Sequence, residues 1–315
     1  IDGLRVDAVK HVEDVAVYNL REKIHHELEA SGRRVFLTGE TAMGWNDCGV
    51  ACNASEYGTI NRYMGPLGLD GQFDFVLYHA VPIRTFGHSD KGLIHADYWS
   101  RMSLEQYVQG SVMTPYIGSH DTSRFVTSAS YRGQSAQWDR GIPGNKWFSP
   151  AGPPGDAEPF ARHRLALAWL LTQPGAPLLY YGDEYGEFGG SDPNNRTMWR
   201  GKGTLSAEEQ KTLALTKALG KARQELPALR RGDYRTVLAE EDMLVFSRTT
   251  LDGKSAVVAL TTNPAGRTAT VTLPVTTGLA SGQKLKNRLG AGEVTVNGRE
   301  ITVTLEGRGA AIYAP

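Results

Sequence analysis

Ile1-Asp2-Gly3-Leu4-Arg5-Val6-Asp7 opens the chain as a short apolar strand that ends in an acid. The pattern returns twice. Val35-Phe36-Leu37-Thr38-Gly39-Glu40 ends in Glu40, and Met113-Thr114-Pro115-Tyr116-Ile117-Gly118-Ser119 runs into His120-Asp121. Parallel barrels build their chemistry from residues at the carboxyl ends of strands. A single acid in such a place reads as a helix N-cap. Three of them, with Arg5 and His120 alongside, read as a site.

Around these strands the first 229 residues alternate between short apolar runs and amphipathic helices, the pattern of a parallel α/β sheet. After Asp7, Val9, Val12, Ala16, Leu20, Ile24 and Leu28 fall on one helical face, and Ser31-Gly32 ends that helix with a left-handed cap. Residues 35–37, 72–75, 114–118 and 177–181 are the following strands, the last of them buried. Residues 159–172 form a Leu- and Ala-rich helix. A second helix, 205–226, opens on Ser206 with Glu209 three residues later and stops at Pro227. About five βα units are present, whereas a closed eight-unit barrel takes roughly 250 residues. The strand that carries Asp7 comes so early that a barrel lacking its first part is expected; an open sheet covered on both faces is the alternative.

From residue 230 to 315 the texture becomes short β-rich runs separated by Asp252-Gly253, Asn263-Pro264 and Asn297-Gly298 turns. This is a small antiparallel β-sandwich domain. It has no acid closing a strand next to another, so it reads as an accessory to the catalytic part.

Composition narrows the partners. Lys plus Arg and Asp plus Glu both number 34, a net charge of zero, which gives no electrostatic case for nucleic acid or an anionic membrane. No apolar run approaches the roughly 20 residues of a membrane span, and no charged n-region precedes an apolar stretch. The two cysteines, Cys48 and Cys52, either pair as a small disulfide or stay free. Their spacing is not that of a zinc site. His25, His26, His79, His88, His95 and His163 show no ligand spacing.

Neighbouring strands lie about 4.8 Å apart, so Asp7 and Glu40 can approach to the roughly 5–5.5 Å at which one carboxylate attacks a sugar directly. Arg5 shares a strand face with Asp7 and is placed to keep it ionised. Glu40 follows an apolar strand with no cation beside it in sequence, as suits a protonated acid. Trp45, Trp138, Trp147, Trp199 and Tyr57 lie in loop-like stretches and could stack on sugar rings; Trp45, close behind Glu40, is the candidate for doing so.

Gly3-Leu4-Arg5-Val6-Asp7-Ala8-Val9-Lys10-His11, Gly39-Glu40 and Ile117-Gly118-Ser119-His120-Asp121 resemble, in order, the second, third and fourth signature regions of the α-amylase family of glycoside hydrolases. Tyr180-Tyr181-Gly182-Asp183-Glu184 and the terminal β-rich part extend the resemblance over essentially the whole chain. It implies the C-terminal portion (strands four to eight) of a (β/α)8 TIM barrel, residues 1–229, followed by a small antiparallel β-sandwich domain, residues 230–315. It also implies a retaining hydrolase of α-1,4-glucosidic bonds in starch or maltooligosaccharides. Asp7 would be the nucleophile, Glu40 the acid/base, and Asp121 the stabiliser of the transition state. Arg5 would orient Asp7, and His120 would bind the sugar at the reacting subsite. Lys10 and His11 would line the leaving-group side, and Asp192 and Arg196 would bind sugars further along. The first signature region and the excursion that supplies calcium ligands are missing, leaving the His11 backbone carbonyl as one candidate ligand. Ser119 stands where Asn is common. The resemblance further implies the N-terminal part of the same barrel as a partner, an α-glucan substrate, and secretion or a periplasmic location. Transglycosylation or cyclodextrin chemistry at the same site is the alternative, and a catalytically dead binding protein on the same scaffold is a third reading.

Overall fold

The computed structural model describes residues 2–131 and 150–315; Trp138 and Trp147 lie outside the described residues. The first sheet is parallel. It begins with β1 (Gly3–Val6), β2 (Phe36–Gly39) and β3 (Gly71–Gln72), bonded in that order. Beyond β3 the pairing continues as isolated parallel bridges, Phe73 to Thr114 and Tyr116 to Leu178. The Thr114 N–H donates to the Gln72 carbonyl at 2.9 Å, and the Leu178 N–H to the Pro115 carbonyl at 2.9 Å. Five parallel segments therefore lie side by side in sequence order. Residues 114–118 and 177–181 do not form the regular strands expected, because Pro115 and Pro177 have no N–H to give a ladder. The last segment is not buried either: Leu179 and Tyr181 are both exposed. Residues 72–75 divide between β3 and the start of a helix.

The helices are α1 (Asp14–Glu27), α2 (Ala54–Asn61), α3 (Phe75–Ala80), α4 (Leu93–Glu105), α5 (Phe125–Ser130), α6 (Glu158–Thr172), α7 (Ala207–Glu225) and α8 (Pro227–Arg231). α1 begins later than its apolar pattern predicts, after a 3-10 turn at Val9–His11; Val9 and Ile24 of the expected stripe are buried and Val12 and Leu20 pack against them, but the buried face is shifted toward Val17 and Arg21. Val17, Arg21 and Ile24 point inward, whereas Ala16 and Leu28 are exposed. Arg21 is wholly buried, pairs with Asp70 and donates to the Gly68 carbonyl at 2.9 Å. The helix stops at Glu27, and Gly32 (φ +83°) turns the loop beyond it. α6 is buried along most of its length, with Trp169 fully buried toward its C-terminal end. α7 opens with the expected capping box between Ser206 and Glu209. Pro227 ends that helix and also starts α8, where its missing N–H is harmless.

The remaining strands are β4 (Arg235–Ala239), β5 (Met243–Thr249), β6 (Ser255–Thr261), β7 (Arg267–Thr272), β8 (Lys284–Asn287), β9 (Glu293–Thr295), β10 (Glu300–Leu305) and β11 (Ala310–Ala314). They form an antiparallel sheet in the order β4-β5-β6-β11-β8-β9 and a pair, β10-β7. Met243, Val245, Val257 and Ala259 pack against Val271, Ile301 and Val303 between the two layers. The alternate side chains of the same strands, Leu244, Phe246, Val258 and Leu260, belong to the core formed with α6 and α4. Across that junction Arg248, fully buried, donates to the Asp233 carbonyl at 2.8 Å and to the carbonyl of Thr172 at the end of α6. Cys48 and Cys52 are joined as a disulfide in the loop after β2. No helix among the described residues is long and apolar enough to cross a membrane.

Candidate active site

Backbone geometry brings Asp7 and Glu40 side by side. Ala8 takes the left-handed conformation (φ 46°), which costs a non-glycine residue about 1–2 kcal/mol. The turn lets the Val9 N–H reach the Glu40 carbonyl at 2.8 Å, while the Glu40 N–H reaches the Val6 carbonyl at 3.0 Å. Asp121 sits on a tight turn of its own. Thr122 Oγ1 accepts from the Ser119 N–H at 2.9 Å, and Ser119 Oγ accepts from the Asp121 N–H at 3.2 Å.

Arg5 joins the first two acids. Its Nη2 lies 2.9 Å from Asp7 Oδ1 and also donates to Glu40 Oε2. Its guanidinium rests 5.4 Å from the centroid of Phe73. Two oxygens bound to one nitrogen are no more than about 6 Å apart. The acids differ in exposure: Glu40 is 8% exposed, the Asp7 side chain 72%. Burial pushes the Glu40 carboxyl up to about 7; a hydrogen bond to Asp7 and the charges of Asp121 and Asp7 push the same way, and Arg5 pulls against them.

Around Asp121, His120 Nε2 is 3.3 Å from Oδ2 and Arg196 Nη2 is 3.3 Å from Oδ1. Arg196 also pairs with Asp192 at 3.1 Å, so the exposed turn carrying these two is tied directly to the third acid. The acids line a cavity of about 420 Å³, together with Lys10, His11, His120 and Phe75. That size suits a small ligand. Lys10 is held by the Ala42 carbonyl at 2.7 Å. A roomier hollow of about 520 Å³ opens at the opposite ends of the strands, near Met113 and Gly175, but Glu105 is its one acid. Chemistry therefore selects the smaller cavity. Phe75 was not legible as a site residue, because its run read as a strand.

Trp45 is not brought to the cavity. It is half-buried, edge-on to Trp99 at 5.6 Å and to His95 at 5.7 Å, with Arg84 4.6 Å from its ring. This is packing against the core, and Trp45, expected as a sugar platform, is not among the residues lining the cavity. Tyr57 is likewise a core residue. Trp199 stays exposed, its Nε1 donating to Glu184 at 2.9 Å.

Glu40, His120 and Asp121 each place one ligand atom within 4.8 Å of the others, the one such group of three among the described residues. No such group of side chains among the described residues includes His11. Calcium takes roughly six to eight oxygens, so the described residues do not by themselves fit a calcium site there.

Three carboxyl groups around one cavity, two bridged by a single cation and one holding its proton near neutrality, are the layout of a glycosidase-type site. Residues 232–313 match the family model of the α-amylase C-terminal domain. The chain is 27% identical over 313 residues to a β/α-amylase of Paenibacillus polymyxa, covering 99% of this chain and 22% of that protein. It is 27% identical over 319 residues to a cyclomaltodextrin glucanotransferase of Klebsiella oxytoca, covering 97% of this chain and 45% of that protein. The crystal structure of an Anoxybacillus α-amylase superposes with a TM-score of 0.74 at 25% identity, over 100% of this chain and 59% of that one. AmyP in complex with maltose superposes with a TM-score of 0.77 over 100% of this chain and 64% of that one; at 20% identity it shows the fold alone. The chain is thus similar over nearly its whole length to an amylase and to a cyclomaltodextrin glucanotransferase, and it spans less than half the length of these two curated relatives.

Proposed function

We propose that the protein is a retaining α-glucan hydrolase, cleaving α-1,4-glucosidic bonds of starch or maltooligosaccharides. The observation that carries the reading is the Arg5 nitrogen bound to both Asp7 and Glu40. It holds the two carboxyl groups in the short range that suits direct attack, rather than the roughly 6.5–9.5 Å that leaves room for an intervening water. Asp7 attacks the anomeric carbon, and its bond to the sugar forms as the glycosidic bond breaks. Glu40, protonated up to about pH 7, gives its proton to the departing oxygen and then takes one from the water that releases the sugar. Asp121, with His120 and Arg196 on either side of its carboxylate, faces the positive charge that develops on the ring.

Lys10 and His11 line the leaving-group side, and Asp192 and Arg196 hold sugars on the other. The five parallel segments correspond to strands four to eight of a (β/α)8 barrel, and segments pairing with the free edge of β1 complete it as the N-terminal partner of this chain. A calcium ion beside the His11 carbonyl would draw its other ligands from that partner. The Cys48–Cys52 disulfide supports secretion or a periplasmic location, because such bonds persist in oxidising compartments. Transglycosylation is a second reading, supported by the cyclomaltodextrin glucanotransferase among the relatives; a sugar hydroxyl then replaces water.

A 2-deoxy-2-fluoro maltosyl fluoride tests the mechanism. Peptide mapping should find the label on Asp7 and none in Asp7→Ala. A label on another residue, or products of inverted anomeric configuration, would overturn it. Chromatography of maltooligosaccharide digests separates hydrolysis from transfer, since longer or cyclic products arise only by transfer.

A further inference from the structure

The turn that carries Asp121 is gripped from behind by a residue with no place in the acid trio. Asn195 is wholly buried. Its side-chain amide gives one hydrogen to the His120 carbonyl at 2.7 Å and the other to the Thr122 carbonyl at 2.8 Å. These are the carbonyls of the residues on either side of Asp121. Arg196 Nε adds a third bond, to the His120 carbonyl at 3.0 Å. Asn195 is itself fixed, because its backbone carbonyl accepts from Arg124 Nε at 2.9 Å. Arg124 is 1% exposed. It donates from Nη1 to the Tyr181 carbonyl at 2.6 Å, and its guanidinium lies 4.1 Å from the Tyr180 ring and 4.8 Å from the Tyr181 ring. The turn after the fourth parallel segment and the loop after the fifth are therefore fastened at one point.

The Asp121 carboxylate is less firmly held than its backbone. Its side chain is 46% exposed, and its cationic neighbours, His120 and Arg196, stand 3.3 Å away, longer than the roughly 2.7–2.9 Å of a strong charge-assisted bond. Where the carboxylate sits is thus decided by the peptide units around it, and Asn195 binds both. The task needs two donors side by side on a short stem. Asp offers none when ionised, Ser offers one, and Gln is longer by a methylene.

We propose that Asn195, seated by Arg124, is the positioning residue that aims Asp121 at the reacting sugar; this rests on the reading of Asp121 as the acid beside the reacting centre. A displacement of about 1 Å at such a centre costs on the order of 100-fold in rate.

The test is a double-mutant cycle in the intact protein, read with an α-maltosyl fluoride, whose leaving group needs little help from an acid. Asn195→Ala should lower kcat on the order of 100-fold with KM within about threefold. Combined with Asp121→Ala, the same change should cost less than about threefold, since effects transmitted through one side chain are not additive. Asn195→Asp, equal in shape but without donors, runs the same cycle if the alanine variant does not fold. A kcat within about threefold of the parent for Asn195→Ala, or an equal loss with and without Asp121, overturns the proposal. Undiminished activity of Asp121→Ala alone removes the premise, and the proposal with it. That outcome is read separately from the Asp7 label, which tests the wider mechanism.

Discussion

The carboxyls of Glu40 and Asp7 face one another at the ends of two adjacent parallel strands, one Arg5 nitrogen pairing with both. Burial and the Asp7 carboxyl raise Glu40 to about 7 despite the Arg5 guanidinium beside it. Activity should therefore fall as pH rises through about 7, when Glu40 loses the proton it must donate. Glu40→Gln should lower kcat by about 10²–10⁴ and abolish that limb of the profile. A limb that survives the substitution belongs to another group.

Arg5 opposes the rise at Glu40, so its removal has a definite sign. In Arg5→Met the alkaline limb should move to higher pH while the overall rate drops, because the donor shared by Asp7 and Glu40 is gone. The pH profile of the residual activity measures it. A shift to lower pH would mean that another cation governs Glu40.

The same carboxyl couples folding to pH. Its folded value lies above its ordinary one of 4.5, so the folded state binds the proton more tightly than the unfolded chain. The stability this contributes is complete below about pH 4.5 and is lost as pH rises through about 7. Urea midpoints across this window should show a weaker decline in Glu40→Gln than in the parent, and parallel curves would sink the idea.

Gly71 allows β3 to pass close to its neighbour. A Cβ there would stand 1.9 Å from the Val112 carbonyl oxygen, a backbone atom that cannot swing aside. Gly71→Ala should cost about 2–3 kcal/mol as the two segments are forced apart. A urea midpoint unchanged from the parent would show that the backbone yields more easily than this spacing suggests.

Asp97 in α4 is the acceptor for the Tyr234 hydroxyl at 3.0 Å and the Thr236 hydroxyl at 2.6 Å, joining helix to β-sandwich. Asp97→Ala strands both donors and should destabilise by about 2 kcal/mol or more. Asp97→Asn, which keeps an oxygen in place, should recover most of the loss. Equal melting curves for the two variants would show that this junction depends on apolar contact alone.

The site was legible where it follows from position on a strand. Asp7, Glu40 and Asp121 each end an apolar run, and the cavity collects all three. Ser206 and Glu209 announced α7 because a capping box is local chemistry. What could not be read depends on partners distant in sequence. Arg21 joins the buried face of α1 because its partners, Gly68 and Asp70, lie 47 and 49 positions away. Trp45 was drawn to Trp99 and Arg84 rather than to the cavity. Nothing in the sequence sets Asn195 apart, and only its burial against His120 and Thr122 gives it a role. The bonding of Cys48 to Cys52 was undecidable from a spacing that suits either state.

β5 and β6 are buried on both faces, one against the helices and one within the sandwich. For anyone recombining enzymes by exchanging modules, the stretch near residue 230 is a poor place to cut. A transplanted terminal portion would arrive with the Leu244, Phe246 and Val258 layer facing a foreign surface, and the recipient scaffold would lose one wall of its interior.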